Sequence, residues 1–273
     1  MRILATDLDR TLLPNGRWPA DDHAIELFNR LTVENDITVV YVTGRNPGLT
    51  DEAIAEFGVR SPDILIGDVG TSIRHYTGDG WKAFDGWEEH VRRRSPRWDA
   101  NIVRKAAGDI EGLVEQPRER CGPFKQSYFL DHDARGGILA SVDARIKGRY
   151  DEVIIYSHDP QSGDGLLDFL PHSATKQTAL EYVADRLGVP RAEVVFCGDS
   201  GNDVFPLTAG FSGVMVRNAD AQLVAEVRAA LAANPALRVY HATGGFMGLN
   251  GYYTGGVLEG ANHYGLLPSP NKG

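Results

Sequence analysis

Ile3-Leu4-Ala5-Thr6-Asp7-Leu8-Asp9-Arg10-Thr11 is a short apolar run that breaks into two carboxylates spaced two residues apart. The same grammar recurs along the chain. Ile37–Val42 leads into Thr43-Gly44-Arg45, and residues 194–197 lead into Gly198-Asp199-Ser200-Gly201-Asn202-Asp203. Further short apolar runs stand at Ile64-Leu65-Ile66 and Val214-Met215-Val216. Continuous apolar runs, rather than alternating ones, suit strands covered on both faces. Between them lie helix-like segments at residues 21–33 and 173–187. In the second, Leu180, Val183, Ala184 and Leu187 fall at i, i+3, i+4 and i+7, and Gly188 follows as a stop. Runs of strand alternating with helix read as an α/β fold, a doubly wound and mostly parallel sheet.

The stretch at residues 81–170 has a different texture. It opens with a Trp- and Arg-rich segment at 87–98, offers strands near 124–130 and 153–156, and contains a turn-rich tract at 157–165. Because the α/β pattern resumes afterwards, it reads as an inserted α+β cap domain. Residues 1–80 and 171–273 then form the core. The Gly- and Tyr-rich tract 244–256 reads as a loop before a short helix from Val257.

A net charge of −9 opposes nucleic-acid and anionic-membrane partners, which require a basic face. The two cysteines, Cys121 and Cys197, are far apart and fit a reducing compartment. Acidic residues follow too soon after Met1 for a secretion signal, and no apolar run approaches membrane length, so a cytoplasmic location is expected.

Residues two apart on a strand share a face, so Asp7 and Asp9 point together while Leu8 turns into the core. Such a pair can hold a hard divalent cation or divide nucleophile and acid/base roles; it can also simply cap a following helix. Thr43-Gly44-Arg45 can cradle a phosphate with a hydroxyl and unhindered N–H groups, or serve as a plain N-cap. The acidic turn 198–203 offers oxygen ligands to Mg²⁺, or forms an Asx-type surface turn. Lys176, in the first turn of its helix, opposes the helix dipole, which hints at an anionic partner; otherwise it is an ordinary surface lysine. What distinguishes these signals is position, since three follow the carboxyl ends of apolar strands, where open α/β sheets bind ligands.

In this order the segments resemble the haloacid dehalogenase superfamily of phosphatases. Asp7-Leu8-Asp9-Arg10-Thr11 matches its DxDxT motif, Thr43 and Gly44 the second motif, Lys176 the third, and residues 198–203 the GDSxND form of the fourth. A cap between the second and third motifs places the chain with the large α/β-cap (C2-type) members. More narrowly it is similar to the sucrose-phosphate phosphatase family through Val69-Gly70-Thr71-Ser72-Ile73, Lys125-Gln126-Ser127-Tyr128, Val214-Met215-Val216-Arg217-Asn218-Ala219 and Gly255-Gly256-Val257-Leu258-Glu259. Two features depart from it: Arg10, where Gly or Asn is common, and the long tract 157–165.

The resemblance implies that Asp7 is the nucleophile and Asp9 the general acid and base. Mg²⁺ would be held by Asp7, the Asp9 backbone carbonyl and Asp199. Thr43, Gly44, Lys176 and Asn202 would bind the phosphate, with Arg45 beside them, and Asp203 would orient Lys176 or a metal-bound water. Lys125 and Tyr128 are the expected sugar contacts, and His158 an ordinary loop residue. The implied substrate is a small sugar phosphate, sucrose-6-phosphate first, with mannosylfructose phosphate and glucosylglycerol phosphate as alternatives. A sugar-phosphate synthase of the same pathway is a candidate partner. A phosphomutase and a phosphoaspartate receiver domain are the competing readings, although a receiver is shorter and carries its phosphoacceptor after a later strand.

Overall fold

The computed structural model describes residues 1–158 and 163–268. The chain begins with β1 (Arg2–Thr6), α1 (Ala24–Glu34), β2 (Ile37–Val42), α2 (Pro47–Phe57) and β3 (Ile64–Gly67). It continues through β4 (Ser72–Tyr76), β5 (Trp81–Ala83) and α3 (Trp87–Arg94). The insert comprises α4 (Ala100–Ala107), β6 (Val114–Glu115), β7 (Gln126–Asp131), α5 (Arg135–Arg145), β8 (Glu152–His158) and β9 (Asp164–Pro171). The chain returns with α6 (Lys176–Leu187), β10 (Val194–Gly198), α7 (Val204–Leu207), β11 (Ser212–Met215), α8 (Ala221–Ala233), β12 (Arg238–His241) and α9 (Thr254–His263).

The larger sheet runs β12-β11-β10-β1-β2-β3-β4-β5, parallel from β12 to β3 and antiparallel at β4 and β5. Leu4 pairs with Val195 on one side and Val39 on the other, so β1 is flanked by strands along both edges. Its side chains alternate between two hydrophobic layers. Ile3 and Ala5 pack with residues of α3, α6 and α8, and Leu4 and Leu8 with residues of α1 and α9. From β1 the chain winds outward through β2 and β3, then returns to place β10 on the opposite side of β1. That reversal makes the β1/β10 boundary the topological switch point, where a crevice opens at the strands' carboxyl ends.

The expected boundary at residue 81 falls inside the larger unit. β5 pairs with β4 at the sheet edge, and Trp87 and Val91 of α3 fill the same hydrophobic layer as α6. The Trp/Arg texture that marked the insert belongs instead to an amphipathic helix, with Trp87 buried and Arg92, Arg93 and Arg94 in solvent. The insert proper is a four-stranded antiparallel sheet, β6-β7-β9-β8, backed by α4 and α5. Ser157 and His158 extend β8, and Asp164 and Gly165 belong to β9, with His158 opposite Gly165. The rest of the expected turn, residues 159–162, lies outside the described residues.

Candidate active site

Asp7 leaves β1 still in sheet register, its N–H donating to the Cys197 carbonyl of β10 at 2.9 Å. Leu8 then turns into the core and its carbonyl collects the N–H groups of Thr11, Leu12 and Leu13, folding the following loop over the strand end. α6 begins at Lys176 rather than at residue 173, because Thr175 and Thr178 close a reciprocal capping box ahead of it. The cap aims the Lys176 side chain inward, and at 2% exposure it is among the most buried groups in the protein.

The Lys176 ammonium touches three side chains: Asp7 Oδ1 at 3.1 Å, Asp203 Oδ1 at 2.8 Å and Asn202 Oδ1 at 3.1 Å. Asp203 uses its other oxygen to accept the N–H groups of Asp199 and Ser200 at 3.1 and 3.2 Å, which fixes the acidic turn. Asp199 accepts from Thr11 Oγ1 at 3.2 Å and pairs with Arg10 Nε at 3.3 Å. Asn218 Nδ2 donates to the Arg10 carbonyl at 2.6 Å, steadying a residue whose φ of 59° is unusual for arginine.

Three buried carboxylates therefore crowd together: oxygens of Asp7, Asp199 and Asp203 all lie within 4.8 Å of one another. Burial, reinforced by Asp203 and Asp9 against the pull of Lys176, pushes the Asp7 carboxyl up to about 7. Burial likewise raises Asp199, with Asp203 and Asp7 adding to it and Arg10 opposing. Burial alone would lower Lys176, but Asp203 and Asp7 outweigh it and the ammonium stays charged. A hard divalent cation fits this donor set, since it takes carboxylate oxygens and would relieve their mutual repulsion. Asp203 is committed to the Lys176 ammonium and to two N–H groups of its own turn, while Asp7 and Asp199 are the side chains that could ligate, Asp199 by exchanging its contacts to Thr11 and Arg10 for the ion. The Asp9 carboxylate is not part of the cluster; the ligand expected from Asp9 is its backbone carbonyl.

The Asp9 side chain turns instead to the second motif. Arg45 holds it through Nη2 to Oδ1 at 2.7 Å and Nε to Oδ2 at 2.9 Å, and Asn15 Nδ2 adds a bond at 2.6 Å. Although burial opposes it, this grip keeps the carboxyl below the usual carboxylate range. Arg45 is thus engaged with Asp9, and with the Leu49 carbonyl at 3.0 Å, rather than pointing free into the cavity. Thr43 is fully buried and accepts the Arg45 N–H at 3.2 Å. It is not the cap of α2; Asn46 is, accepting from the Leu49 N–H. Gly44 lines the cavity wall.

The cavity measures about 410 Å³ and runs from Asp7 and Lys176 on the core to Gln116, Lys125, His158 and Asp168 on the cap. Its size is that of a small-molecule site. Lys125 reaches it, with Nζ 3.9 Å from Asp168 Oδ1. Tyr128 does not reach it. Lys125 immediately precedes β7, whereas Tyr128 lies within it on the face opposite Ser127, whose hydroxyl donates to the cavity residue Asp168. Tyr128 packs edge-on against Phe169 inside the cap's own core, and its hydroxyl donates to the Arg104 carbonyl. Nor is His158 an isolated loop residue, because it stacks on His132 with ring centroids 3.9 Å apart and lines the cavity. Asn15, Gln116 and Asp168 were not singled out from the sequence, and lone polar residues in a loop or a strand carry no motif that would have marked them.

The profile of the sucrose-6F-phosphate phosphohydrolase family matches residues 1–265. The chain belongs to this family. Among its relatives is sucrose-phosphatase 2 of Nicotiana tabacum, 32% identical over 276 residues, covering 98% of this chain and 60% of that one. The chain thus spans well under two thirds of the plant protein's length. Mannosylfructose-phosphate phosphatase of Agrobacterium fabrum is 30% identical over 274 residues and covered over 98% of both chains. Among solved structures, the sucrose-phosphatase of Synechocystis sp. PCC6803 in complex with sucrose and phosphate superposes with a TM-score of 0.77. It is 27% identical, covering 97% of this chain and 98% of that one. The fold is that of the haloacid dehalogenase superfamily, core and cap together. Among the described residues no helix is long and apolar enough to cross a membrane.

Proposed function

We propose that this protein is a Mg²⁺-dependent phosphatase that releases phosphate from a glycoside phosphate, sucrose-6-phosphate being the first candidate, through an aspartyl-phosphate on Asp7. The observation that carries the reading is Asp7 beside a buried Lys176 ammonium at the sheet's switch point, beneath a cavity closed by cap residues.

An Asp7 oxygen attacks phosphorus, the bond to the sugar oxygen breaks, and that oxygen leaves with the electron pair. Asp9 supplies its proton, an assistance worth roughly 10²–10⁴ in rate for a poor leaving group such as an alkoxide. Water then attacks the same phosphorus, the bond to Asp7 breaks, and Asp9 takes the water proton, which returns both groups to their starting states. Lys176, Asn202 and the Gly44 N–H hold the non-bridging oxygens, and Asp203 keeps Lys176 aimed. Asp7, Asp199 and the Asp9 carbonyl would hold Mg²⁺, whose positive charge would let a carboxylate approach a phosphate dianion.

Specificity rests with the cap, where Lys125 faces the leaving group. A second reading, mannosylfructose phosphate as substrate, is favoured by the full-length match to the Agrobacterium enzyme. The test is release of inorganic phosphate from sucrose-6-phosphate, mannosylfructose phosphate and glucosylglycerol phosphate measured side by side. One of them should exceed the others clearly. An isomerised sugar phosphate without free phosphate would make the protein a mutase, and a stable phosphoprotein without turnover would make it a signalling domain.

A further inference from the structure

Between β3 and β4 the chain makes a turn that ordinary residues avoid. Asp68 and Val69 are consecutive, both left-handed, with φ of 52° and 62°. Aspartate tolerates this region, but a β-branched valine there is a true outlier, and such strain persists only where the surroundings enforce it.

The enforcement is visible on every side. The Asp68 N–H donates to the Arg45 carbonyl and the Val69 N–H to the Thr43 carbonyl, each at 3.0 Å. Gly70 lies flush against the start of α6, where a Cβ would come within 2.2 Å of the Thr175 carbonyl carbon. The turn is therefore clamped between the second-motif loop and the helix that carries Lys176. From above, Val69 packs against Ile155 and Leu170 of the cap.

What this clamping presents to the cavity is the Asp68 carboxylate. Ser72 Oγ donates to its Oδ2 at 3.0 Å, and the side chain lines the cavity on the core side while Lys125 and Asp168 line it from the cap. Burial raises Asp68, and the Lys125 ammonium and the Ser72 hydroxyl partly offset that rise. A carboxylate repels a phosphate dianion and gains nothing from that end of a substrate. It is, however, a strong acceptor for hydroxyl donors.

We propose that Asp68 is a specificity-determining residue that accepts hydrogen bonds from hydroxyl groups of the leaving group, completing with Lys125 and Asp168 an acceptor–donor–acceptor row across the cavity. The inference rests on the glycoside-phosphatase reading above and adds to it a core residue that the motifs do not include.

Asp68→Gly removes the carboxylate while suiting the left-handed backbone, and Asp68→Asn keeps the side-chain shape without the charge. Each would be compared with the wild type on the best glycoside phosphate and on p-nitrophenyl phosphate, whose leaving group has no hydroxyls. The expected result for Asp68→Gly is a fall of roughly 10- to 100-fold in kcat/KM for the glycoside phosphate, in line with losing bonds to a charged acceptor. Asp68→Asn should fall between Asp68→Gly and the wild type. Turnover of p-nitrophenyl phosphate should stay within about threefold for both. Equal losses on both substrates would reduce Asp68 to a structural role, and unchanged ratios would remove it from the site; either overturns the proposal. A wild type that cleaves p-nitrophenyl phosphate but none of the glycoside phosphates overturns the underlying reading, and this inference with it.

Discussion

Arg45 and Asp9 face each other across the cavity mouth as a bidentate pair, Nη2 to Oδ1 at 2.7 Å and Nε to Oδ2 at 2.9 Å. The pair holds Asp9 ionised, which suits a base but not an acid that must give a proton to a departing alkoxide. In the proposed reaction the proton-donating form of Asp9 would therefore be reached by loosening Arg45. Arg45→Ala is expected to move the alkaline limb of the kcat–pH profile to higher pH, since, against burial, the Arg45 cation is what holds the Asp9 carboxyl down. The sign follows because Asp9, freed of the cation, stays protonated to higher pH. With p-nitrophenyl phosphate, whose leaving group needs little acid help, the limb should not move. An equal shift with both substrates would exclude control through Asp9.

Asp7, the proposed nucleophile, is costly to keep where it stands. It is 5% exposed, and two further carboxylates lie within 4.8 Å. Asp7→Asn is expected to abolish measurable phosphate release. In the metal-free protein at pH 8 its thermal midpoint should equal or exceed that of the wild type, because a neutral amide of the same shape removes a buried like charge. Lys176 keeps Asp203 as a partner in this variant. Retained turnover would remove the nucleophile assignment.

The same crowding makes the metal and the proton competitors. Asp7 rises from 3.8 to about 7 on folding, so between these values the metal-free native state holds a proton that the unfolded chain has released. Its contribution to stability is fully present below about pH 4 and is lost as pH rises through about 7. Metal-free protein should thus become less stable from pH 5 to 8, and saturating Mg²⁺ should flatten the decline. Calorimetric Mg²⁺ affinity should rise by about tenfold per pH unit below 7 for each proton displaced, then level off. EDTA should silence turnover and Mg²⁺ restore it. An affinity independent of pH would mean that Asp7 does not ligate.

What could be read from the chain follows from which forces leave a local mark. The parallel sheet was legible because β1, β2 and β10 are continuous apolar runs, and the two carboxylates after β1 marked the end of the strand that lines the cavity, although Asp9 turns from Asp7 toward Arg45. The burial of Lys176 was not legible, since an isolated lysine in a first turn is nearly always solvated. The Gly- and Tyr-rich tract 244–256 had a loop-like texture, with a helix expected only from Val257. In fact α9 begins at Thr254, and Gly256 and Gly260 let it approach the sheet, where a Cβ would fall within 3.0 Å of Val216, just past β11, and 2.4 Å of Val214 on it. Asp68 left no mark at all, because the left-handed turn that aims it is imposed by partners distant in sequence, Thr43, Arg45 and Thr175.

The cap offers a sharp test of which side chains face the substrate, because Lys125, just before β7, lines the cavity while Tyr128 within β7 turns into the cap's own core. Lys125 lines the cavity and is expected to bind the leaving group, so Lys125→Ala should raise KM for the glycoside phosphate by roughly tenfold or more, the scale of a lost charge-assisted bond. Its effect on p-nitrophenyl phosphate should be small. Tyr128→Phe deletes only a hydroxyl that donates to the Arg104 carbonyl at 3.4 Å, a bond long enough to contribute little. That variant should keep kcat and KM within about twofold on every substrate and lose no more than about 1 kcal/mol in urea unfolding. If Tyr128→Phe instead raised KM while Lys125→Ala left it unchanged, β7 would present its other face to the substrate. The cap would then have to rotate relative to the core during turnover, carrying Phe169 and the rest of its buried layer toward the cavity.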